Sequence, residues 1–303
     1  EQSEQAEEIM EEIDLSDWIF QEGGFGVWPD ESMAVWSLEG EPGAQAETNL
    51  EGAKQAVLTA MRNWEPSVDI SSYNVYKNDF GFFLADLINY NPELFYIKLG
   101  KDGCACFYNE TSGLISTIKL VYNEYTRDQV EEYKNALEKA YTEAITSESM
   151  TDVQKARALH DYLVQHMQYD TALVKRNAYN ALVEGTAVCQ GYSLAYAALL
   201  ARAGIKFDYC SSDSMNHMWN YVLLDGQWYH VDVTWDDPVS DRVGYVRHRY
   251  FLCSDTQMAS EGVDGHHDWA TAQSCTSTVH DGAYWKDWEG TAPLSAIFYI
   301  NGG

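Results

Sequence analysis

The sequence has few positively charged residues, and this shortage argues against one class of partner. It contains 19 Lys and Arg residues against 47 Asp and Glu residues, a formal net charge of −28 at pH 7. A protein field of that sign repels phosphate backbones and anionic lipid surfaces. Nucleic acid is therefore a poor candidate partner.

Cysteines are also few, and their spacing follows no recognisable framework. No pair of Cys-x-x-Cys knuckles occurs, so the pattern indicates neither a disulfide scaffold nor that kind of zinc site. One or two disulfides remain open, and we predict no cofactor and no metal. The six cysteines are Cys104, Cys106, Cys189, Cys210, Cys253 and Cys275.

Long apolar runs and a targeting segment are missing as well. No apolar run approaches the roughly 20 residues that a membrane-spanning helix requires. The first residues, EQSEQ, include neither an initiator methionine nor a signal peptide. Together with an aromatic content of 14%, this start fits a chain from which a secretion signal and an acidic tether have been removed. We therefore expect an extracellular or cell-surface protein without a membrane span.

What the sequence does contain is ample core material, with 46% hydrophobic residues, arranged in three parts. Residues 1–49 are an acidic leader, expected to be partly flexible, whose stretch EQAEEIMEEIDLSDW can form a helix. Residues 50–125 combine a helix with the short strands LFYIKLG, GCACFYN and GLISTIKLVYNEY, which predicts a small N-terminal α+β lobe. Residues 126–303 form the second domain and begin with two helices that Thr151 separates as a cap.

The stretch NHMWNYVLLDGQWYHVDVTWDDP, residues 216–238, predicts a β-hairpin with a polar pair on one face. The Asp-Gly step between two alternating runs favours a two-residue type I′ turn. Leu224 then faces Gln227, and the third strand of this region extends to about Thr234. His217 and Asp232 become diagonal neighbours on one face, close enough for the carboxylate to reach an imidazole nitrogen.

The His-Asp pair has a catalytic and a structural interpretation. An aspartate that accepts from one ring nitrogen fixes the tautomer and stabilises the imidazolium, as a general base attached to a nucleophile requires. A buried hydrogen-bonded pair can equally be structural. His230 is a rival base, because it also lies two residues from Asp232 on this face. Trp219, opposite Asp232, is expected to shield the pair from water rather than to contact substrate.

Cys189 is the candidate nucleophile. It lies three residues after Thr186 in GTAVCQGYS, so it occupies the first turn if Thr186 caps the helix, which is buried and stopped by Gly204. Unpaired backbone N–H groups at this position favour the thiolate and can stabilise an oxyanion. The alternative is a small core residue, the usual role of a single cysteine in an apolar helix.

Other positions have weaker claims. Tyr169 and Gln190 are candidate oxyanion or substrate contacts, although a tyrosine at a helix end more often packs. His266, His267 and Asp268 could bind a metal, but no companion ligands occur at a recognisable spacing.

The segments GTAVCQGYSLAYAALLARAGI and NHMWNYVLLDGQWYHVDVTWDDP together resemble the core of the bacterial transglutaminase-like superfamily. The resemblance implies an α+β fold with a papain-like core over residues 126–303. It also implies that Cys189 is the nucleophile, His217 the general base and acid, and Asp232 the orienting group. Gln190 stands where the animal enzymes have a tryptophan, so the resemblance does not imply calcium-dependent cross-linking.

We therefore predict a thiol-dependent acyl-transfer enzyme that hydrolyses or transamidates an amide or peptide bond. The expected substrate is a protein, a peptide or a cell-wall peptide, and hydrolysis is favoured in an open site because water far outnumbers amines. The alternative is a catalytically inactive secreted surface protein that keeps the same fold and binds a peptide or glycan in its aromatic groove.

Overall fold

The chain divides into two units, Glu1–Thr126 and Arg127–Gly303. The computed structural model describes residues 8–11, 20–21, 24–25, 48–100, 102–237, 245–260, 267–269 and 272–282. Most of the predicted leader lies outside these residues. The assignment of three domains, with boundaries at 49 and 125, stays a prediction.

The first unit contains a four-stranded antiparallel sheet with the strand order β1-β5-β6-β4. The strands of the whole unit are β1 Glu8–Glu11, β2 Phe20–Gln21, β3 Gly24–Phe25, β4 Ser67–Asp69, β5 Ala105–Asn109 and β6 Ile115–Lys119, of which β2 and β3 pair only with each other. The helices are α1 Leu50–Asn63 and α2 Phe80–Asn89, with 3-10 turns at Ser71–Tyr73, Lys77–Asp79 and Pro92–Leu94.

Two predictions of local structure in this unit are wrong. Glu8–Glu11 form an edge strand antiparallel to β5 rather than part of a helix, because pairing with the sheet overrides the helical propensity of this acidic stretch. Residues 94–100 do not form a strand. Pro92–Leu94 makes a 3-10 turn, and beyond it only an isolated bridge joins Ile97 to Tyr122, since proline favours the start of a turn.

The second unit contains a four-stranded antiparallel sheet with the order β12-β11-β10-β9. The strands of the whole unit are β7 Gln168–Tyr169, β8 Thr186–Ala187, β9 Phe207–Ser212, β10 His217–Leu224, β11 Gln227–Val231 and β12 Phe251–Cys253, of which β7 and β8 pair only with each other. Its helices are α3 Arg127–Ala144, α4 Asp152–His166, α5 Ala178–Leu182, α6 Cys189–Arg202, α7 Val233–Asp236 and α8 Asp255–Met258. A cysteine-headed helix packed on an antiparallel sheet confirms the predicted α+β class with a papain-like core.

The helix α6 lies in the middle of the core, with residues on every side buried. A helix without a polar face is stable only when other elements surround it. A Cβ atom at Gly191 would lie 2.4 Å from the Ala187 Cβ, so only glycine permits the close approach of α6 to β8. The chain leaves the helix through Gly204, which has a φ of 73°.

The predicted break between the first two helices of the second unit is confirmed. Thr151 caps α4 by accepting a hydrogen bond from the Gln154 N–H at 3.3 Å, and the Gln154 side chain accepts from the Thr151 N–H at 2.8 Å. This reciprocal capping box satisfies two backbone donors at the start of the helix. It therefore ends the α3–α4 connection at a defined residue.

The hairpin register is confirmed, whereas the predicted end of its second strand is wrong. Leu224 pairs with Gln227 across a turn in which both central residues have a positive φ, as a type I′ turn requires. However, β11 ends at Val231. Asp232 then accepts a hydrogen bond from the Trp235 N–H and becomes the N-cap of α7, a position that aspartate favours strongly.

We expect the replacement Gly226→Ala to lower the free energy of unfolding by about 1 kcal/mol, measured by urea denaturation. Gly226 has a φ of 74°, and a Cβ atom placed on it would have no other atom within 4 Å, so the cost is conformational rather than steric. Gln227→Ala, at an exposed neighbouring position, is the control and is expected to change stability by less than about 0.5 kcal/mol. Equal stabilities of the two variants would contradict the assignment of the turn.

Candidate active site

Cys189 lies in the first turn of α6, as predicted, but it is the first residue of the helix because Thr186 does not cap it. The N-cap is Val188, which provides no side-chain hydrogen bond. Thr186 is held two residues earlier, in the parallel pair of β8 with β7. The Cys189 side chain is therefore close to backbone N–H groups of the first turn that have no intrahelical partner.

Two buried side chains join α6 to the strand that carries the histidine. The Ser193 hydroxyl lies 2.9 Å from the Cys189 carbonyl oxygen and 3.0 Å from the Met218 carbonyl oxygen. The Asn220 Nδ2 donates to the Ser193 carbonyl at 3.1 Å. Met218 directly follows His217 in β10, so these bonds fix the strand against the first turn of the helix.

His217 lies between the cysteine and the aspartate. Its Nε2 is 2.6 Å from the Asp232 Oδ2, and the Cys189 side chain is near enough to contribute to the raised pKa of the ring. Because Asp232 occupies Nε2, Nδ1 is the nitrogen left for the sulfur. Burial lowers the pKa of His217, but the Asp232 carboxylate and the Cys189 thiol outweigh it and raise the pKa to about 10. The ring is therefore a positively charged imidazolium at neutral pH.

Asp232 is completely buried and uses both of its oxygens. Oδ1 accepts from the Trp235 N–H at 3.1 Å, and Oδ2 accepts from His217 and, at 2.9 Å, from His267 Nε2. Burial alone would raise the pKa of Asp232, but the lowering effect of the two imidazoles is larger and holds this pKa well below its usual range. The side chain is therefore a carboxylate at neutral pH.

His267 is the residue of this site that sequence reasoning missed. In the sequence, His267 was only a weak candidate metal ligand beside His266 and Asp268. In the structure Asp268 instead accepts hydrogen bonds from the hydroxyls of Ser212 and Ser214, and His266 lies outside the described residues. No local pattern could have identified the contact of His267, because it joins segments that are far apart in the chain.

His230, the rival base, is hydrogen-bonded elsewhere. Its Nδ1 accepts from the Trp219 Nε1–H at 3.0 Å, so the proton of the ring is on Nε2, which lies 3.0 Å from the Asp255 Oδ1. Burial lowers the pKa of His230 to about 4, and the ring is neutral at neutral pH. Both nitrogens have partners, and neither is left for Cys189.

Trp219 covers the His-Asp pair. Its ring stacks on His217 with 5.5 Å between the ring centroids, and it is 1% exposed. This position excludes water from the histidine. The alternative role of Trp219 as a substrate contact stays a prediction.

Tyr169 and Gln190 lie close to the cysteine in different ways. Tyr169 ends β7, which pairs with the strand leading into α6. Burial and the neighbouring Cys189 raise the pKa of its phenol. Gln190 follows Cys189 and is 3% exposed, and among the described residues its Oε1 has no hydrogen-bond partner. Their roles as oxyanion or substrate contacts stay predictions.

A second buried network fixes the other end of α7. His160 of α4 has its Nε2 3.1 Å from the Asp236 Oδ2 and its Nδ1 2.9 Å from the Asp161 Oδ1. His248 Nε2 lies 2.7 Å from the same Asp161 oxygen. Burial lowers the pKa of His160, but the two carboxylates outweigh it and raise the pKa to about 9. The four-residue helix that begins after Asp232 is thus held at both ends.

Among the described residues, three groups have ligand atoms within 4.8 Å of one another, a spacing that a metal ion could use. In each group a histidine nitrogen already hydrogen-bonds the carboxylate, so the spacing alone gives no reason to assign an ion. The groups are His160, Asp161 and His248; His217, Asp232 and His267; and His230, Asp255 and Cys275.

A thiol at the head of a buried helix, an imidazole on the adjacent strand and a carboxylate beyond it have the arrangement of a cysteine-dependent acyl-transfer site. Residues 139–233 match the family model of the transglutaminase-like superfamily. This match confirms the resemblance to that superfamily over the segment. Members of the superfamily usually are thiol enzymes with Cys, His and Asp.

Three individual proteins are also similar to parts of the chain. The human kyphoscoliosis peptidase is 27% identical over 119 residues, which cover 33% of this chain and 18% of that protein. A crystal structure of a TGase has 14% identity and a TM-score of 0.36, over 56% of this chain and 47% of the other. A protein of Cytophaga hutchinsonii described provisionally as a cysteine protease has 16% identity and a TM-score of 0.29, over 43% and 55%. Neither structural match supports an inference about activity.

The raised pKa of His217 predicts how its contribution to stability changes with pH. A histidine whose pKa is about 6.5 unfolded and about 10 folded stabilises the fold fully below about pH 6.5 and loses this effect as the pH rises toward 10. We expect the loss of unfolding free energy caused by His217→Gln, measured by urea denaturation, to shrink steadily from about pH 6.5 to about pH 9.5.

The matched control is His230→Gln. The pKa of His230 is lowered, so the folded and the unfolded ring are both largely neutral above about pH 7.5. The loss of unfolding free energy in this variant should be the same at about pH 7.5 and about pH 9.5. A loss for His217→Gln that is equally constant would show that His217 is not charged in the folded protein.

Proposed function

We propose that this chain is a thiol-dependent acyl-transfer enzyme in which Cys189 is the nucleophile, His217 the base and acid, and Asp232 the group that orients the ring. The observation that carries the proposal is a single buried imidazole that lies 2.6 Å from a buried carboxylate and whose pKa is raised both by that carboxylate and by the Cys189 side chain at the head of α6. A buried carboxylate in this position keeps the imidazolium charged, which supports a thiolate beside it.

The reaction has two stages that the same residues serve. The Cys189 thiolate attacks an acyl carbon, and the backbone N–H groups at the start of α6 face the developing oxyanion. His217 then gives its proton to the leaving amine, which leaves a thioester on the sulfur. In the second stage neutral His217 takes a proton from water or from an amine, which attacks the thioester, and the thiolate leaves with the acid or a new amide as product.

The proposed substrate is an amide or peptide bond in a protein, a peptide or a cell-wall peptide. Hydrolysis is the outcome expected of an open site, and the name of the human relative, a peptidase, is in keeping with it. Among the described residues, no helix is both long and apolar enough to cross a membrane. The bacterial origin and the extracellular or cell-surface location stay predictions.

The first test is the alkylation of Cys189 by iodoacetamide across pH, with the modified residue identified by peptide mass spectrometry. We expect the rate constant to reach its plateau below about pH 7, whereas an ordinary thiol titrates near about 8.5. His217→Asn should remove this reactivity at low pH, because the imidazolium is lost. His230→Asn should retain it, because neither nitrogen of that ring contacts the sulfur. The opposite result for the two variants would make His230 the base.

The second test asks whether the site performs chemistry or only binds. Peptide and cell-wall fragments are incubated with the protein, and a covalent acyl adduct on Cys189 is sought by mass spectrometry. We expect an adduct on the unsubstituted protein and none on the Cys189→Ala variant. The inactive binding protein with the same fold would instead bind a fragment equally well with and without the sulfur and would never show an adduct. That result would end the enzymatic proposal.

A further inference from the structure

The Asp232 carboxylate has two imidazoles on one oxygen, although the proposed mechanism uses only one of them. His217 Nε2 lies 2.6 Å and His267 Nε2 lies 2.9 Å from Oδ2. A carboxylate only accepts hydrogen bonds, so the Nε2 of His267 carries the proton and donates it. Oδ1 is occupied by the backbone N–H of Trp235.

The imidazole ring of His267 is enclosed by aromatic side chains, and only its Nε2 has a hydrogen-bond partner among the described residues. Its ring is 1% exposed, and its Nδ1 has no hydrogen-bond partner among the described residues. The ring lies against Trp219, Trp235 and Tyr250, with centroids 4.9, 4.3 and 4.9 Å away. Within the described part of the chain, the hydrogen bond of this enclosed ring is therefore the one to Asp232.

The same enclosure connects His267 to the proposed base. Trp219 and Trp235 also pack against His217, with centroids 5.5 and 5.6 Å away, and the two imidazole centroids are 5.7 Å apart. The Trp235 N–H on Oδ1 and His217 on Oδ2 already restrict rotation of the carboxylate about its Cβ–Cγ bond. A second donor on Oδ2, held by packed aromatic rings, restricts the position of that oxygen further.

We propose that His267 is a positioning residue, whose Nε2–H holds Oδ2 of Asp232 at the point that faces His217. This inference rests on the proposed function and assigns to the site a fourth side chain from a distant segment. His267 does not touch the sulfur through any described contact. It acts through Asp232 on the orientation of the base.

The test is the pH profile of Cys189 alkylation by iodoacetamide in His267→Phe and His267→Gln. Phenylalanine keeps an aromatic ring but removes the donor, and glutamine places an amide N–H near the position of Nε2. We expect the acidic edge of the profile to move up by about one pH unit in His267→Phe, which is a rate constant about tenfold lower at a fixed pH below the edge. His267→Gln should restore most of the original profile. His267→Leu, which is smaller, should show the same shift if the phenylalanine is not accommodated.

Other titratable groups facing Asp232 do not change charge in this pH range. The pKa of His230 is lowered to about 4, and burial raises the pKa values of the Cys210 and Cys253 thiols. The control variant is Trp269→Phe, in the same aromatic cluster but in contact with His230 and Trp219 rather than with Asp232. It should leave the edge unchanged, and thermal unfolding should show that each variant is folded.

The outcomes separate this inference from the proposed function. An ordinary thiol profile in the original protein would overturn the proposed function and this inference with it. An acidic edge that lies below that of an ordinary thiol and that neither His267→Phe nor His267→Leu moves would leave the proposed function standing and overturn the role of His267. A shift that His267→Gln does not reverse, or that Trp269→Phe reproduces, would show that packing rather than the hydrogen bond is responsible, and would also overturn it.

Discussion

The site depends on one requirement, that a carboxylate removed entirely from water must have partners for its charge. Asp232 is buried completely, and an unpaired charge there would cost several kcal/mol. Its partners are two histidines and a backbone N–H. Because all three come from different segments, satisfying one side chain aligns the strand, the short helix and a distant loop. The orientation of His217 follows from this alignment.

Cys189 and His217 lie on elements that ordinary structural hydrogen bonds hold together. Ser193 and Asn220 fasten α6 to β10 close to His217. His160 and Asp236 fasten the far end of α7 to α4. The residues of the proposed site are thus set on elements whose positions are fixed independently, as a preorganised site requires. Helix α7 has only four residues, and it would not be stable without these attachments.

Much of this arrangement could be predicted from local pattern. The Asp-Gly turn determined the register of the hairpin, and the apolar stretch around Cys189 indicated a buried helix that Gly204 ends. The predicted caps were less successful. Val188 rather than Thr186 precedes α6, because Thr186 is held in a parallel strand pair, and Asp232 is a helix cap rather than a strand residue. His267 was not identified as part of the site, since its contact with Asp232 has no signature in a single sequence. Periodicity reports which face a residue is on, but not which distant side chain shares that face.

The order of these groups along the chain has a consequence for biosynthesis. The sulfur is made first, the imidazole and its carboxylate follow, and His267 comes 267 − 232 = 35 residues after Asp232. A nascent polypeptide that has only just exposed Cys189 therefore carries an unassisted thiol, with no counterion and no closed sheet around it. In the proposed enzyme, Cys189 acquires its partners only when the later segments have been made and have folded. If the proposed function holds, the order of the segments therefore delays the chemistry until synthesis of this region is complete.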